Sequence, residues 1–161
     1  MTTTTDRLSS TRTEARQAPA PVSKIARFIA IFTLIAGAIM IVSGTATWVT
    51  VQSALADERI TVSDDSPRFA GDAVDGPFTA YQEAQMIEQH YLESTEGKTY
   101  AELDREDPLR VTAMNASFLR ASLFTSVVSF GVAAMATGVG IVFFLLGLSS
   151  ILTARKSRHA V

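Results

Sequence analysis

The chain has 161 residues, no cysteine, 47% hydrophobic residues, and 14 basic against 16 acidic side chains for a net charge of −2. The missing cysteines exclude thiolate metal sites, disulfide staples and cysteine nucleophiles, and no nucleic-acid partner is expected. The apolar residues are gathered into two blocks around a polar middle, which excludes an ordinary soluble domain built on one core.

Residues 1–23 are rich in Thr, Ser, Ala and Pro with almost no large apolar side chains. Such a segment cannot repay the entropy of ordering, so a disordered tail is expected. "APAP" makes a short stiff piece, and Ser23 suits the cap of a helix beginning near Lys24. Residues 24–56 then form the first expected membrane span, because the stretch 28–56 carries no charge and exceeds the roughly 20 residues a helix needs to cross a bilayer core. Its end, "SALA" before Asp57, resembles a signal-peptidase site. A secretory signal has an apolar stretch of only about 7 to 15 residues, so an uncleaved anchor is expected instead.

Residues 57–107 read as a small acidic α+β insert. In "RITVS", Ile60 and Val62 alternate with Thr61 and Ser63, the period of a strand with one covered face. Gly71-Asp72 lies between two short apolar pieces as a two-residue hairpin turn, giving an expected sheet of two or three strands. Asp75-Gly76-Pro77 marks a helix start, and Ala80, Ala84, Ile87 and Tyr91 repeat at helical spacing. After a turn at "EGK", Thr99 and Glu102 fit a capping box for a short helix "YAELDRE". Asp107-Pro108 opens a further helix with nothing to break it. A stalk continuous with the second span is therefore expected over 108–154, followed by a basic tail at 155–161.

Charge supplies the orientation. The segment before the first span and the one after the second are basic, whereas residues 57–120 hold 14 acidic and six basic side chains. Lys and Arg near span ends stay on the cytoplasmic side, so both termini are expected inside and loop 57–120 outside. Trp48 near the outer end of the first span suits the headgroup level. An insert of this size is small for a self-sufficient core and has no disulfide. It is expected to lean on the protruding helix ends, on a second copy or on another protein.

Within the spans, small residues follow one another by steps of four and three. One row runs Ala26, Ala30, Thr33, Gly37, Met40, Gly44, Thr47, Val51; the other runs Ser122, Ser126, Ser129, Ala133, Ala136, Gly140, Phe143, Gly147. In lipid, close backbone approach drives helix association, and this 3.5-residue repeat suits a left-handed pair. Thr33, Gly37, Gly44, Ser129, Ala133, Ala136, Gly140 and Gly147 are therefore the expected packing residues. The alternative is that small residues in a span are merely common. Phe124, Val127, Phe130, Val142, Phe144, Leu145 and Leu148 are expected to face outward, toward lipid or a partner.

Candidates for chemistry are few. Met86 and His90 share a helical face at a spacing that can offer ligands to copper, but two ligands are too few. Asp64, Asp65, Asp72 and Asp75 carry the hard oxygens calcium takes, but match no EF-hand loop. Glu102, Asp104, Glu106 and Asp107 form an acidic run that reads as a solvated face. Asn115-Ala116-Ser117 is a glycosylation triplet. No nucleotide-binding glycine loop, HExxH or GxSxG is present, and no ionisable residue lies inside a span, which argues against a proton path. No catalytic, cofactor-binding or metal residues are assigned.

The stretches "LADERITVSDD", "GKTYAELDREDPLR" and "NASFLRASLFTSVVSFGVAAM", with the flanking spans, resemble a group of uncharacterised two-span membrane proteins of actinobacteria. The resemblance covers roughly residues 28–151, and members often carry the label of an aromatic ring-opening dioxygenase small subunit. It implies an actinobacterial cell membrane and no established activity. In that enzyme class the small subunit is a soluble helical partner of the iron-bearing subunit, whereas His90 and His159 here are expected on opposite sides of the membrane. The expectation is a mainly α membrane protein, a two-helix transmembrane hairpin with a small α+β extracytoplasmic insert, and not an enzyme. It would serve as an accessory or scaffold protein, with the lipid bilayer and another membrane protein or a second copy as partners. An ectodomain that senses a ligand or cation is the alternative, and a dioxygenase-related subunit comes last.

Overall fold

The computed structural model describes residues 24–156. The N-terminal tail, the predicted cap at Ser23, and His159 lie outside the described residues. Three helices make up the order: α1 Lys24–Asp57, α2 Pro77–Ser94 and α3 Leu109–Lys156. At 1.5 Å per residue, the 34 residues of α1 run for about 51 Å and the 48 of α3 for about 72 Å. Both are long and apolar enough to cross a membrane. Against a hydrocarbon core of about 30 Å, each leaves a length over, and α3 leaves far more.

That surplus carries the insert between the two helices, residues 57–107, which includes α2 and forms a cap. The helices α1 and α3 pair antiparallel: Gly37 faces Gly140, Gly44 faces Ala133, and Ala30 faces Gly147. Farther along, Trp48 meets Phe130 edge to face at 4.7 Å. The third helix, α2, lies antiparallel against α3, with Tyr81 meeting the Phe124 ring at 5.8 Å and Glu88 pairing with Arg120 at 2.6 Å. One buried cluster joins Val62, Val74, Ala80 and Ala84 of the cap to Leu55 of α1 and to Leu123 and Phe130 of α3. A second joins Tyr91 and Leu103 to Ala113 and Ala116. Neither core closes without the long helices. The cap therefore gains its apolar burial from the helix ends, in place of the staples that small domains use.

The helix starts follow from local chemistry. Pro77 occupies the first turn of α2, and the Thr79 hydroxyl oxygen accepts the Gly76 N–H at 3.2 Å, satisfying a donor at the helix start. At the far end Gly97 N–H donates to Leu92 O at 2.7 Å with φ of 82°, a left-handed conformation that glycine takes without strain. Asp107 Oδ1 accepts the Leu109 N–H at 2.8 Å and starts α3.

Among the described residues there is no strand, so the α+β insert is corrected to an irregular segment with one antiparallel bridge, Thr61 to Ala73. The bridge has flanking bonds from Val62 N to Asp72 O and from Val74 N to Ile60 O, both 2.9 Å. Beyond it, the Ser63 N–H turns to the Glu83 carboxylate at 2.8 Å instead of to a second chain segment. The expected two-residue turn at Gly71-Asp72 is a longer loop, with Phe69 at φ of 59° and Gly71 at 75°. The alternation in "RITVS" reported burial, with Val62 1% exposed and Ile60 half-buried. It did not report a ladder.

The short helix expected at "YAELDRE" is likewise replaced by turns. Glu102 Oε2 accepts both the Thr99 N–H and its hydroxyl at 2.8 Å, so half of the capping box forms. The carbonyls that would continue the helix are taken by Arg110, whose Nη1 donates to Leu103 O and Tyr100 O. Its guanidinium also stacks 4.1 Å from the Tyr100 ring centroid. Leu103, 5% exposed, is drawn into the second core instead.

Candidate functional site

The backbones of α1 and α3 approach closely along a seam of glycines. A Cβ on Gly37 would stand 2.5 Å from Phe144 N and 2.7 Å from Gly140 O. One on Gly140 would stand 2.9 Å from Gly37 O and from Ile41 N, and one on Gly147 would stand 2.7 Å from Leu34 N. At Gly44 it would meet Ala133 O at 2.8 Å and collide with the Thr137 hydroxyl. The obstacles are mostly backbone, which cannot swing aside. Gly131 and Gly138, on the same helix but off this face, have nothing within 4 Å.

Of the other expected packing residues, Ala133 is buried and Thr33, Ser129 and Ala136 are half-buried beside the seam. The outward assignment of Phe130 is overturned, because that ring is 1% exposed against Trp48. Phe144 is also only half-buried, since its backbone lies against Gly37. The contact line on α3 thus runs through Leu123, Phe130, Thr137 and Phe144 on one edge and Ala133, Gly140 and Gly147 on the other. Bulk marked a residue as lipid-facing in the sequence, yet an aromatic fits where α1 offers a second aromatic for edge-to-face contact. The 3.5-residue repeat from Thr137 back to Phe130 was the available signal.

Seam hydroxyls stay within their own helices. Thr137 Oγ1 donates to Ala133 O at 2.9 Å, Ser126 Oγ to Ser122 O at 3.2 Å and Ser129 Oγ to Thr125 O at 2.8 Å. This satisfies each donor without an interhelical bond, so the pair is held by packing.

Two polar links, one within the cap and one from the cap to the stalk, have no signal in the local sequence pattern. Glu83, 7% exposed, accepts the Ser63 N–H at 2.8 Å and the Ser63 hydroxyl at 3.1 Å. Arg120 pairs with Glu88 at 2.6 Å while its guanidinium carbon lies 5.2 Å from the Phe124 ring centroid. Its Nε is buried with no partner. A charged residue on an amphipathic helix reads as solvated, and nothing in the local pattern around Glu83 points to an amide 20 residues away. On the outer side of α2 lies an open groove of about 440 Å³ lined by Pro67, Gln82, Gln85, Met86, Gln89 and Glu93, among others.

The candidate ion sites do not assemble. Met86 is buried while His90 is exposed, so they present no common ligand face. Among the described residues no group of three His, Asp or Glu side chains is placed to hold a metal ion. Asp65 is committed elsewhere, to His90 Nε2 at 2.7 Å. In the glycosylation triplet, the Ser117 hydroxyl donates to Ala113 O at 2.8 Å within α3.

The His90–Asp65 pair has a pH consequence. Donation from His90 Nε2 to the Asp65 carboxylate holds the imidazole above its ordinary value against partial desolvation, and the same bond holds the Asp65 carboxyl below its own. The histidine's contribution is complete below its unfolded pKa and lost as pH rises through the raised one; the aspartate's is lost as pH falls through the lowered one. Cap stability is therefore expected to decline as pH rises from the ordinary imidazole range through the raised value of His90. The slope is small because both groups are largely exposed. Thermal melts of His90→Gln should be flatter over that interval than those of the parent, and identical slopes would discount the pair.

No family model, curated protein or solved structure matches the chain.

Proposed function

We propose that the chain is an integral membrane accessory or scaffold protein of an actinobacterial cell membrane, crossing it twice with both termini in the cytoplasm and residues 57–120 outside. It docks on a larger membrane complex, or on itself, through the outer faces of its spans and through its cap. The observation that carries this reading is the cap core shared with the helix ends. Leu55, Leu123 and Phe130 belong to the same cluster as Val62 and Val74, so the cap is held as an extension of the hairpin. The glycine seam occupies the inner faces with intramolecular packing and leaves residues such as Val42, Val132, Leu145 and Leu146 outward. Lipid or a partner helix covers them. No catalytic role is proposed.

Purification from native membranes in a gentle detergent tests the role. A stoichiometric membrane partner or a homo-oligomer is the expected result. A lone monomer whose cap melts higher with calcium or copper would replace the accessory role with the sensing one. Chelator-sensitive turnover of a catechol substrate would replace both.

A further inference from the structure

Phe78 is the most exposed large apolar side chain among the described residues, at 75%, and Tyr81 on the same face of α2 is 48% exposed. They sit in the first turns of α2, in "PFTAYQ", an uncharged stretch of an otherwise acidic insert. In a cap standing clear in water, the Phe78 ring and the exposed half of Tyr81 would be covered only by solvent. The height of the pair along the hairpin explains this exposure.

Tyr81 touches the Phe124 ring at 5.8 Å. Because α2 runs antiparallel to α3, stepping back from Tyr81 to Phe78 moves about 4.5 Å along the axis toward the Trp48–Phe130 pair. The last charge before the first span is Arg27, and about 20 residues beyond it, the length that crosses the hydrocarbon, end beside Trp48. On α3 the stretch at this height, Ser122 to Ser129, contains four hydroxyl residues, as suits a helix leaving the acyl region. Phe78 thus lies within about a turn of the level where the indole of Trp48 meets the bilayer surface, and aromatic side chains are favoured at that level because an apolar ring meets acyl tails and a polar edge meets water.

We propose that the first turns of α2 form an interfacial foot, with Phe78 and Tyr81 resting in the outer leaflet at the headgroup–acyl boundary, so that the cap is seated on lipid and does not stand above it. This rests on the two-span reading given above. The occupant is the lipid surface: the stretch is uncharged, Phe78 and Tyr81 face one way, and Trp48 marks the same height on the other side of the hairpin.

Absence of native cysteine allows the test on the full chain. Phe78→Cys, Val42→Cys and Leu109→Cys, each nitroxide-labelled, are reconstituted in phosphatidylcholine–phosphatidylglycerol vesicles. Relaxation by dissolved oxygen and by a water-soluble nickel chelate is then compared. Val42, exposed on the middle of α1, reports whether the span is in lipid, and Leu109, at the start of the stalk, reports water. The expected result places position 78 on the lipid side, with oxygen relaxing it more than nickel, between the two controls. A label at 78 as nickel-accessible as that at 109, or shielded from both relaxers by protein, overturns the foot while Val42 remains lipid-like. A nickel-accessible Val42 would instead overturn the two-span reading itself.

Discussion

Gly140→Leu is expected to separate α1 from α3, whereas Gly138→Leu, two residues away, leaves the pair intact. At position 140 the first added carbon would already stand 2.9 Å from Gly37 O and Ile41 N, before the rest of the side chain is placed. Overpacking a well-filled core costs about 1–3 kcal/mol when side chains can shift. Here the opposing atoms are backbone, so relief requires the helix axes to move apart. Packing along the whole seam is then lost, and no hydrophobic drive in lipid restores it. Gly37→Leu meets the same obstacle from the other side and is expected to match Gly140→Leu. At Gly138 there is open space, and leucine is the better helix former. Leu145→Ala, on the outer face, should matter less than either seam change. Cysteine crosslinking between α1 and α3 in membranes reads the difference directly, and equal yields for all four variants would show that the seam does not hold the pair.

Phe130→Ala is expected to lower the stability of the cap and the outer helix ends together by about 3–5 kcal/mol, the usual cost of deleting a buried phenylalanine. The ring is 1% exposed, contacts Trp48, and belongs to the cluster that contains Leu55, Val62 and Val74. Its loss leaves a cavity at the junction of all three helices. Both the melting temperature and the protease resistance of residues 57–76 should fall in this variant. Phe143→Ala, a ring of the same size at a 39% exposed position, serves as the comparison and should change neither. A cap as resistant as the parent's in Phe130→Ala would mean that its core closes without the helix ends.

The long helices were legible because their signal is physical and local: charge-free runs longer than a bilayer is thick, and for α2 an apolar row at helical spacing. At Gly37, Gly44, Gly140 and Gly147 an added Cβ would meet the other helix, and close backbone approach of this kind selects for the missing side chain. The aromatic half of that contact line was not legible. A phenylalanine in a span looks the same whether it meets lipid or Trp48, and only the partner's position decides. The absent sheet has a similar cause. Alternating Ile60 and Val62 describe one covered face, which α2 and the helix ends supply as well as a second strand would. At "YAELDRE" only the Glu102 half of the capping box formed, and Arg110 claimed the carbonyls the next turn needed. Glu83 and Arg120 were hidden because their roles depend on groups brought together by the fold.

Labelling of single cysteines with a membrane-impermeant maleimide on intact cells tests the two-span arrangement most directly, since the parent chain offers no background thiol. Asp104→Cys in the cap should react at once, while Ser10→Cys and Ser157→Cys should react only after the membrane is opened. An Asp104→Cys that stays silent until permeabilisation would contradict an exported cap, and a mature chain beginning at Asp57 would contradict a hairpin of two retained spans.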